Sequence, residues 1–197
     1  MIRSAWMGID PGPSWTGIVV RCGNELLQHR VLANTGRHPR DHGVTDDYLD
    51  TIIRSVNELG EFCAVRDLSL RVAVEGVSTP TGHAKGGFVK PRDLLGLGIM
   101  FGWLRGVWPD AVVVAPNSHG GGLLAGYPTD LVTDGERRHG LNRPAPTSAL
   151  IRHARSAWDV TLGAERGAWQ LPATAGYIKG LGKPRRLATE QRQTAEA

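Results

Sequence analysis

Three short apolar runs open the chain, and turn residues separate them. The runs cover residues 5–10, 16–22 and 25–32, with a Pro-Gly pair after the first and a Gly-Asn pair after the second. Apolar runs of this length that are joined by such turns are typical of consecutive antiparallel strands. The pattern therefore predicts a three-stranded meander at the start of the fold.

Helical spacing follows after a polar loop. Between Leu49 and Cys63 the apolar side chains recur every three or four residues, and Thr45 stands before two acids, Asp46 and Asp47. A threonine that precedes acids is a common helix start, because its side chain caps the first turn and the acids favour the positive end of the helix dipole. We expect a helix that begins near Thr45 and buries one apolar face.

The remaining chain alternates between short apolar runs and helical patterns. Strands are predicted at 70–75 and 111–115, and helices at 93–107 and from Pro146 to about Glu165. Polar, glycine-rich segments at 78–92 and 117–146 predict loops. The order β-β-β-α-β-α-β-loop-α predicts an α/β fold, with a mixed sheet of three antiparallel strands followed by parallel strands, flanked by helices.

The composition is that of one soluble domain. The chain has 197 residues, of which 41% are hydrophobic and 21% charged, enough for a well-buried core. No apolar run approaches the roughly 18 residues that span a bilayer, and the pattern of a signal peptide is missing, so we expect no export. Cys22 and Cys63 do not suggest a disulfide framework, and we expect buried thiols.

The charge is mildly basic and unevenly distributed. The net charge is +4, and from Asp134 onward eleven Lys and Arg residues stand against six Asp and Glu residues. A basic C-terminal third is compatible with contacts to phosphate groups. It is equally compatible with an ordinary solvated surface, and both interpretations stay open.

Three acids stand at positions where the predicted fold could bring them together. Asp10 ends the first strand, Glu75 ends the fourth, and Asp159 lies in the last helix. If the first and fourth strands are neighbours, their acids emerge at one sheet edge, and the last helix can pack across it. Clustered carboxylates repel one another unless cations pair with them, and Mg²⁺ prefers such oxygen ligands. The trio therefore suggests two-metal hydrolysis of a phosphodiester.

Each acid also has a simpler explanation. Asp10 stands in an Asp-Pro-Gly sequence, which is common in hairpin turns. Glu75 could end its strand as an exposed acid. Asp159 could form an ion pair with Arg155, one helical turn earlier.

The residues around the three acids resemble a known family. Residues 8–12 (GIDPG) with 16–17 (TG), 72–75 (VAVE) and 154–159 (ARSAWD) are similar to the RuvC-like branch of the RNase H-like superfamily, which includes Holliday-junction resolvases, phage-type members among them. The resemblance implies an RNase H-like fold, with Asp10, Glu75 and Asp159 as catalytic metal ligands. It further implies Mg²⁺, for which Mn²⁺ can substitute, a homodimer, and cleavage of branched DNA in recombination or repair.

The resemblance also implies a domain division and a cellular location. We expect an RNase H-like nuclease domain over residues 1–168 and a basic, partly disordered tail over residues 169–197. The expected location is the cytoplasm of a bacterium or of a phage-infected host.

The chain departs from the family pattern in the last helix and after the fifth strand. The family usually has an acid or a histidine three residues before the last helical acid, whereas this chain has Ser156. His153 stands six residues before Asp159 and points about 120° away on an ideal helix. We keep His153 and Ser156 as candidate metal ligands, and His153 also as a general base. The family's lysine-containing segment is replaced by residues 116–122 (PNSHGGG).

Candidate DNA contacts lie in the loop after Glu75 and in the last helix. Cations beside flexible glycines allow close approach to phosphates, and an aromatic side chain can stack on an unpaired base. The loop could also be a plain surface loop. The candidates are Lys85, Phe88, Lys90, Arg92, Arg152 and Arg155.

His119 and the glycines that follow it could cradle a phosphate or form a plain loop. The two interpretations differ in whether this segment faces the three acids, which the sequence does not show.

Three other functions remain open. A related nuclease could act on flaps or RNA–DNA hybrids with the same metal site. Ser156 in the ligand position is compatible with an inactive DNA-binding module. An actin-like nucleotide-binding fold also begins with a Gly-x-Asp-x-Gly turn, but it needs a second phosphate-binding hairpin and a second domain.

Overall fold

The computed structural model describes residues 3–36, 43–77, 91–116, 119–140 and 146–167. Its strands are β1 Arg3–Asp10, β2 Trp15–Cys22, β3 Glu25–Ala33, β4 Leu68–Glu75 and β5 Val112–Val114. They form one central sheet in the order β3-β2-β1-β4-β5. The first two pairs are antiparallel, and β4 is parallel to both β1 and β5. This is the predicted mixed sheet, in which three antiparallel strands are followed by parallel strands.

Four α-helices accompany the sheet in the described part of the chain. They are α1 Asp46–Ala64, α2 Pro91–Val107, α3 Asp134–His139 and α4 Pro146–Glu165. The predicted cap of α1 is confirmed, because the side chain of Thr45 accepts a hydrogen bond from the backbone N–H of Tyr48. Helix α2 begins two residues before its predicted start at Asp93.

The two faces of the sheet are covered by different helices. Alternate residues of β1 point to opposite faces, so Met7 and Ile9 join the core under α1 and α2, whereas Trp6 packs under α4. Gly8 and Asp10 share the face of Trp6. Helix α4 therefore covers the face of the sheet to which the side chain of Asp10 points.

Two glycines let α4 lie directly on the strands. A Cβ added to Gly8 would come 2.1 Å from the carbonyl oxygen of Ala157, and one added to Gly17 would come 2.1 Å from that of His153. Any side chain at either position would collide with the backbone of α4. The glycines thereby set the distance between the sheet and the helix that carries the candidate site residues.

The segment after β5 is more ordered than its composition suggested. We predicted an irregular loop over 117–146, but residues 119–140 contain two 3₁₀ helices, Leu124–Gly126 and Thr129–Leu131, and then α3. A capping box begins α3, in which Thr133 and Glu136 each accept a hydrogen bond from the other's backbone N–H. The sequence carried this signal, a threonine three residues before a glutamate.

Other predictions fall partly outside the described residues. The tail over 169–197 and most of the loop over 78–92 lie there, so the domain division stays a prediction. Both cysteines are buried and unpaired, as expected. Among the described helices, none is long and apolar enough to cross a membrane.

Candidate active site

Two of the three predicted acids lie side by side at the sheet edge. The parallel pairing of β1 with β4 brings Ile9 opposite Val74, so the next residues, Asp10 and Glu75, end neighbouring strands. Asp10 is 8% exposed, and the side chain of Glu75 is 14% exposed. The carboxyl ends of two adjacent parallel strands thus form the floor of the candidate site.

His153 reaches this floor from α4. Its Nδ1 lies 2.9 Å from Oδ2 of Asp10, within hydrogen-bond distance, although the two residues are 143 positions apart. The contact depends on the close approach at Gly17, over which the carbonyl of His153 lies. The sequence had offered His153 as an auxiliary ligand or base, and the structure places it in contact with the first acid.

His119 approaches from the other side of the floor. Its Nδ1 lies 2.8 Å from Oε1 of Glu75, and both side chains are largely buried. Of the two interpretations of this segment, the plain surface loop is therefore wrong, because the histidine faces the acids.

Asp159 is held by a different set of groups. Its Oδ2 accepts hydrogen bonds from the backbone N–H of Gly120 at 2.8 Å and from the hydroxyl of Tyr127 at 2.7 Å. The alternative ion pair with Arg155 is wrong, since Arg155 pairs with Glu136 instead. Among the described residues, no hydrogen bond joins Asp159 to Asp10 or Glu75. The link between them is one loop, in which His119 contacts Glu75 and the next residue, Gly120, binds Asp159.

The electrostatics of His119 connect all three acids. Burial lowers the pKa of this imidazole, but the hydrogen bond to Glu75 and the charges of Glu75, Asp159 and Asp10 outweigh burial and raise it. Burial and, after it, the neighbouring Asp10 raise the pKa of Glu75 to about 7, although the hydrogen bond and charge of His119 act to lower it. Burial, followed by the contact with Asp159, raises the pKa of Tyr127 to about 12, so its hydroxyl donates at neutral pH.

Arg155 has a structural role inside the fold, which differs from its predicted role in binding DNA. The residue is 1% exposed. Its Nη1 and Nη2 each lie 2.9 Å from a carboxylate oxygen of Glu136, and Nη1 also donates to the carbonyl of Leu131. With its guanidinium buried and engaged, Arg155 is not available to a phosphate, and that prediction is corrected.

The remaining candidates are spread over the site and beyond it. Arg152 is exposed on α4, one residue before His153, and Arg92 is half-buried in the first turn of α2. Ser156 is buried on α4, where the loop at Gly120 covers it. The predicted DNA contacts Lys85, Phe88 and Lys90 lie outside the described residues.

Searches against known proteins give structural likenesses alone. No family model and no curated sequence matches the chain. Thermus thermophilus RuvC in complex with a Holliday junction substrate has a TM-score of 0.46 and 18% identity, covering 85% of this chain and 99% of that one. A second T. thermophilus RuvC structure has a TM-score of 0.41 and 19% identity with the same coverage. At these values neither likeness assigns a role to a residue of this chain.

The donor chemistry of the site fits a divalent cation. In the part of the chain that the structure describes, none of the three carboxylates pairs with Lys or Arg. Partly buried carboxylates without a Lys or Arg counter-charge are unfavourable, and carboxylate oxygens are the ligands that suit Mg²⁺ or Mn²⁺. Within the same part, however, no three His, Cys, Asp or Glu side chains are already arranged around a metal position.

Sequence reasoning missed two residues of the site, Tyr127 and Glu136. Tyr127 is 32 residues from Asp159, in a segment without strong periodicity, so no local pattern could pair them. Glu136 was detectable as part of a capping box, but its pairing with Arg155 was not.

Proposed function

We propose that this chain is a metal-dependent endonuclease that cleaves branched DNA, with the four-way junction as its preferred substrate. The observation that carries the proposal is the pair Asp10 and Glu75 at adjoining strand ends, flanked by His119 and His153 and without a Lys or Arg counter-charge among the described residues. Carboxylates in this arrangement suit the binding of divalent cations at a phosphodiester.

In this proposal each residue has a distinct task. Asp10 and Glu75 hold the cations, with His153 as a further ligand or as a base beside Asp10. Asp159, on α4, adds a third negative charge to the site, which agrees with its raising of the pKa of His119. The bound cations would supply an activated water and charge stabilisation. The protein groups orient the carboxylates and exclude bulk water from them.

Two regions are proposed to bind the DNA. Arg152 is exposed beside His153 and can reach a phosphate near the floor of the site. Arg92 follows the basic loop that contains Lys85, Phe88 and Lys90, whose proposed contacts with DNA stay predictions. Because such contacts release counterions from the DNA, binding should weaken steeply with salt.

A homodimer is part of the proposal, since a four-way junction has two equivalent strands to cut. Helix α2 offers a suitable face, on which Leu95, Gly98, Gly102 and Gly106 follow one another at helical spacing. Leu95 is 57% exposed, and no described atom lies within 4 Å of a Cβ added to any of the three glycines. Small residues allow the same helix of a second copy to approach closely.

An inactive DNA-binding module is the second candidate. Two observations favour it: Ser156 stands where a ligand was expected, and no three ligating side chains in the described ranges are arranged for a metal. The two candidates share DNA binding and differ in cleavage.

A substrate panel tests the proposal. Purified protein is incubated in Mg²⁺, and separately in Mn²⁺, with labelled four-way junction, flap, RNA–DNA hybrid and linear duplex. Paired nicks in the junction support the proposal. Cleavage of flaps or hybrids alone would keep the metal site and change the substrate, whereas binding without cleavage would favour the inactive module.

A further inference from the structure

The segment from Gly120 to His139 contacts the candidate site through groups that the sheet does not supply. Its backbone N–H at Gly120 and the hydroxyl of Tyr127 both donate to Oδ2 of Asp159. The hydroxyl of Tyr127 also accepts a hydrogen bond from the N–H of Gly122 at 3.1 Å. Tyr127 therefore joins the glycine loop to the helical acid.

The same segment is fixed firmly to α4. Gly120 has a φ of +70°, and a Cβ added to it would lie 2.6 Å from the carbonyl oxygen of Arg152. The buried guanidinium of Arg155 binds Leu131 and Glu136, and lies over the ring of Tyr127 at 5.7 Å from its centre. Gly122 donates to the hydroxyl of Tyr127 and Arg155 lies over its ring, so this tyrosine has little freedom to move away from Asp159.

Resting on the proposed function, we propose that Tyr127 is a positioning residue for Asp159. With the N–H of Gly120, its hydroxyl occupies Oδ2 and fixes the orientation of the carboxylate, so that Oδ1 is the oxygen presented to a divalent cation. Residues 120–139 are thus part of the active centre, because they supply the groups that orient Asp159.

The energetic reason is that an unrestrained carboxylate must lose rotational freedom when it binds a metal. Hydrogen-bond partners outside the ligand set fix that orientation in advance, and their loss lowers metal affinity or activity by about 10-fold to 100-fold. Both donors to Asp159 come from one segment, so one substitution in that segment can test the effect.

The test is the substitution Tyr127→Phe in the full chain, which removes the hydroxyl and keeps the ring. Mn²⁺ binding is measured by calorimetry without DNA, and kcat and KM are measured separately on the junction. We expect about tenfold weaker Mn²⁺ binding and about tenfold lower kcat. KM should stay within about twofold, because the hydroxyl is not proposed to contact DNA.

Thr161→Val is the matched control. Thr161 is buried on the same helix, where its hydroxyl contacts Arg21 and the carbonyl of Trp158, away from Asp159. The control should lower the thermal unfolding midpoint without weakening Mn²⁺ binding. If Thr161→Val weakens Mn²⁺ binding as much as Tyr127→Phe does, a general loosening of α4 explains the effect and the inference is overturned.

The outcomes separate this inference from the proposed function. Wild-type affinity and kcat in Tyr127→Phe would overturn the positioning role while leaving the nuclease proposal intact. A wild-type chain that binds Mn²⁺ about tenfold more tightly than Tyr127→Phe does, but cuts no DNA, would support the positioning role and remove the nuclease proposal. A wild-type chain that binds no Mn²⁺ would overturn both.

Discussion

Glu136 and Arg155 show how a single buried pair can organise a site. Glu136 is 1% exposed, as is Arg155, and the two form a bidentate contact. Removing one partner of such a pair leaves an uncompensated buried charge, which costs about 3–5 kcal/mol. The pair secures α3 to α4, and Glu136 lies within the segment that also carries Tyr127.

The pair predicts a specific acid sensitivity. Burial raises the pKa of Glu136, but the hydrogen bonds and charge of Arg155 lower it by more, so the net pKa lies below its ordinary value of 4.5. The stabilisation is therefore complete above about pH 4.5 and is lost as the pH falls through the lower, folded-state pKa. Glu136→Gln should be about 3 kcal/mol less stable at neutral pH.

Urea unfolding, followed by circular dichroism at a series of pH values, checks this prediction. The difference between wild type and Glu136→Gln should narrow below pH 4.5, where the wild type loses the charge of Glu136. A difference that stays constant down to pH 3 would show that the pair does not contribute in the predicted way.

At the scale of elements, close packing between α4 and the sheet builds the site. Gly8 and Gly17 allow this approach, and His153 reaches Asp10 as a result. Gly60, in α1, is not needed for a close approach, because no described atom lies within 4 Å of a Cβ added there. The two kinds of glycine should respond to the same substitution in opposite directions.

Gly8→Ala should destabilise the protein, because its Cβ would overlap the backbone of Ala157. Overpacking of this kind costs about 1–3 kcal/mol. Gly60→Ala should stabilise by up to about 1 kcal/mol, since alanine is the better helix former. Chemical unfolding of both variants measures these values. Equal effects of the same sign would contradict the described contact between α4 and β1.

The elements themselves were largely predictable from sequence, whereas the contacts of the site were not. Strands and helices follow from local spacing, as the run before Asp10 and the cap at Thr45 show. The partners of Asp159 come from 32 and 39 residues away, in a glycine-rich segment without periodicity. Helical spacing suggested Arg155 as the partner of Asp159, but the fold pairs Arg155 with Glu136 instead.

At the scale of the whole molecule, the exposed face of α2 predicts self-association. Leu95→Glu would place a charge in the proposed interface and should convert a dimer into a monomer in sedimentation velocity. Val65→Glu is the matched control, because Val65 is 83% exposed just after α1 and should leave the dimer intact. A wild-type monomer, or a dimer unaffected by Leu95→Glu, would contradict the proposed interface.

The central claim is that Asp10 belongs to a cation site that cleaves branched DNA, and one comparison tests it most directly. Wild type, Asp10→Asn and Asp110→Asn are incubated with labelled four-way junction in Mg²⁺. Asp110 is an exposed acid two residues before β5. The account predicts paired nicks by wild type and Asp110→Asn, and no cleavage by Asp10→Asn although it still binds the junction. Equal cleavage by Asp10→Asn, or no cleavage by wild type, would contradict it.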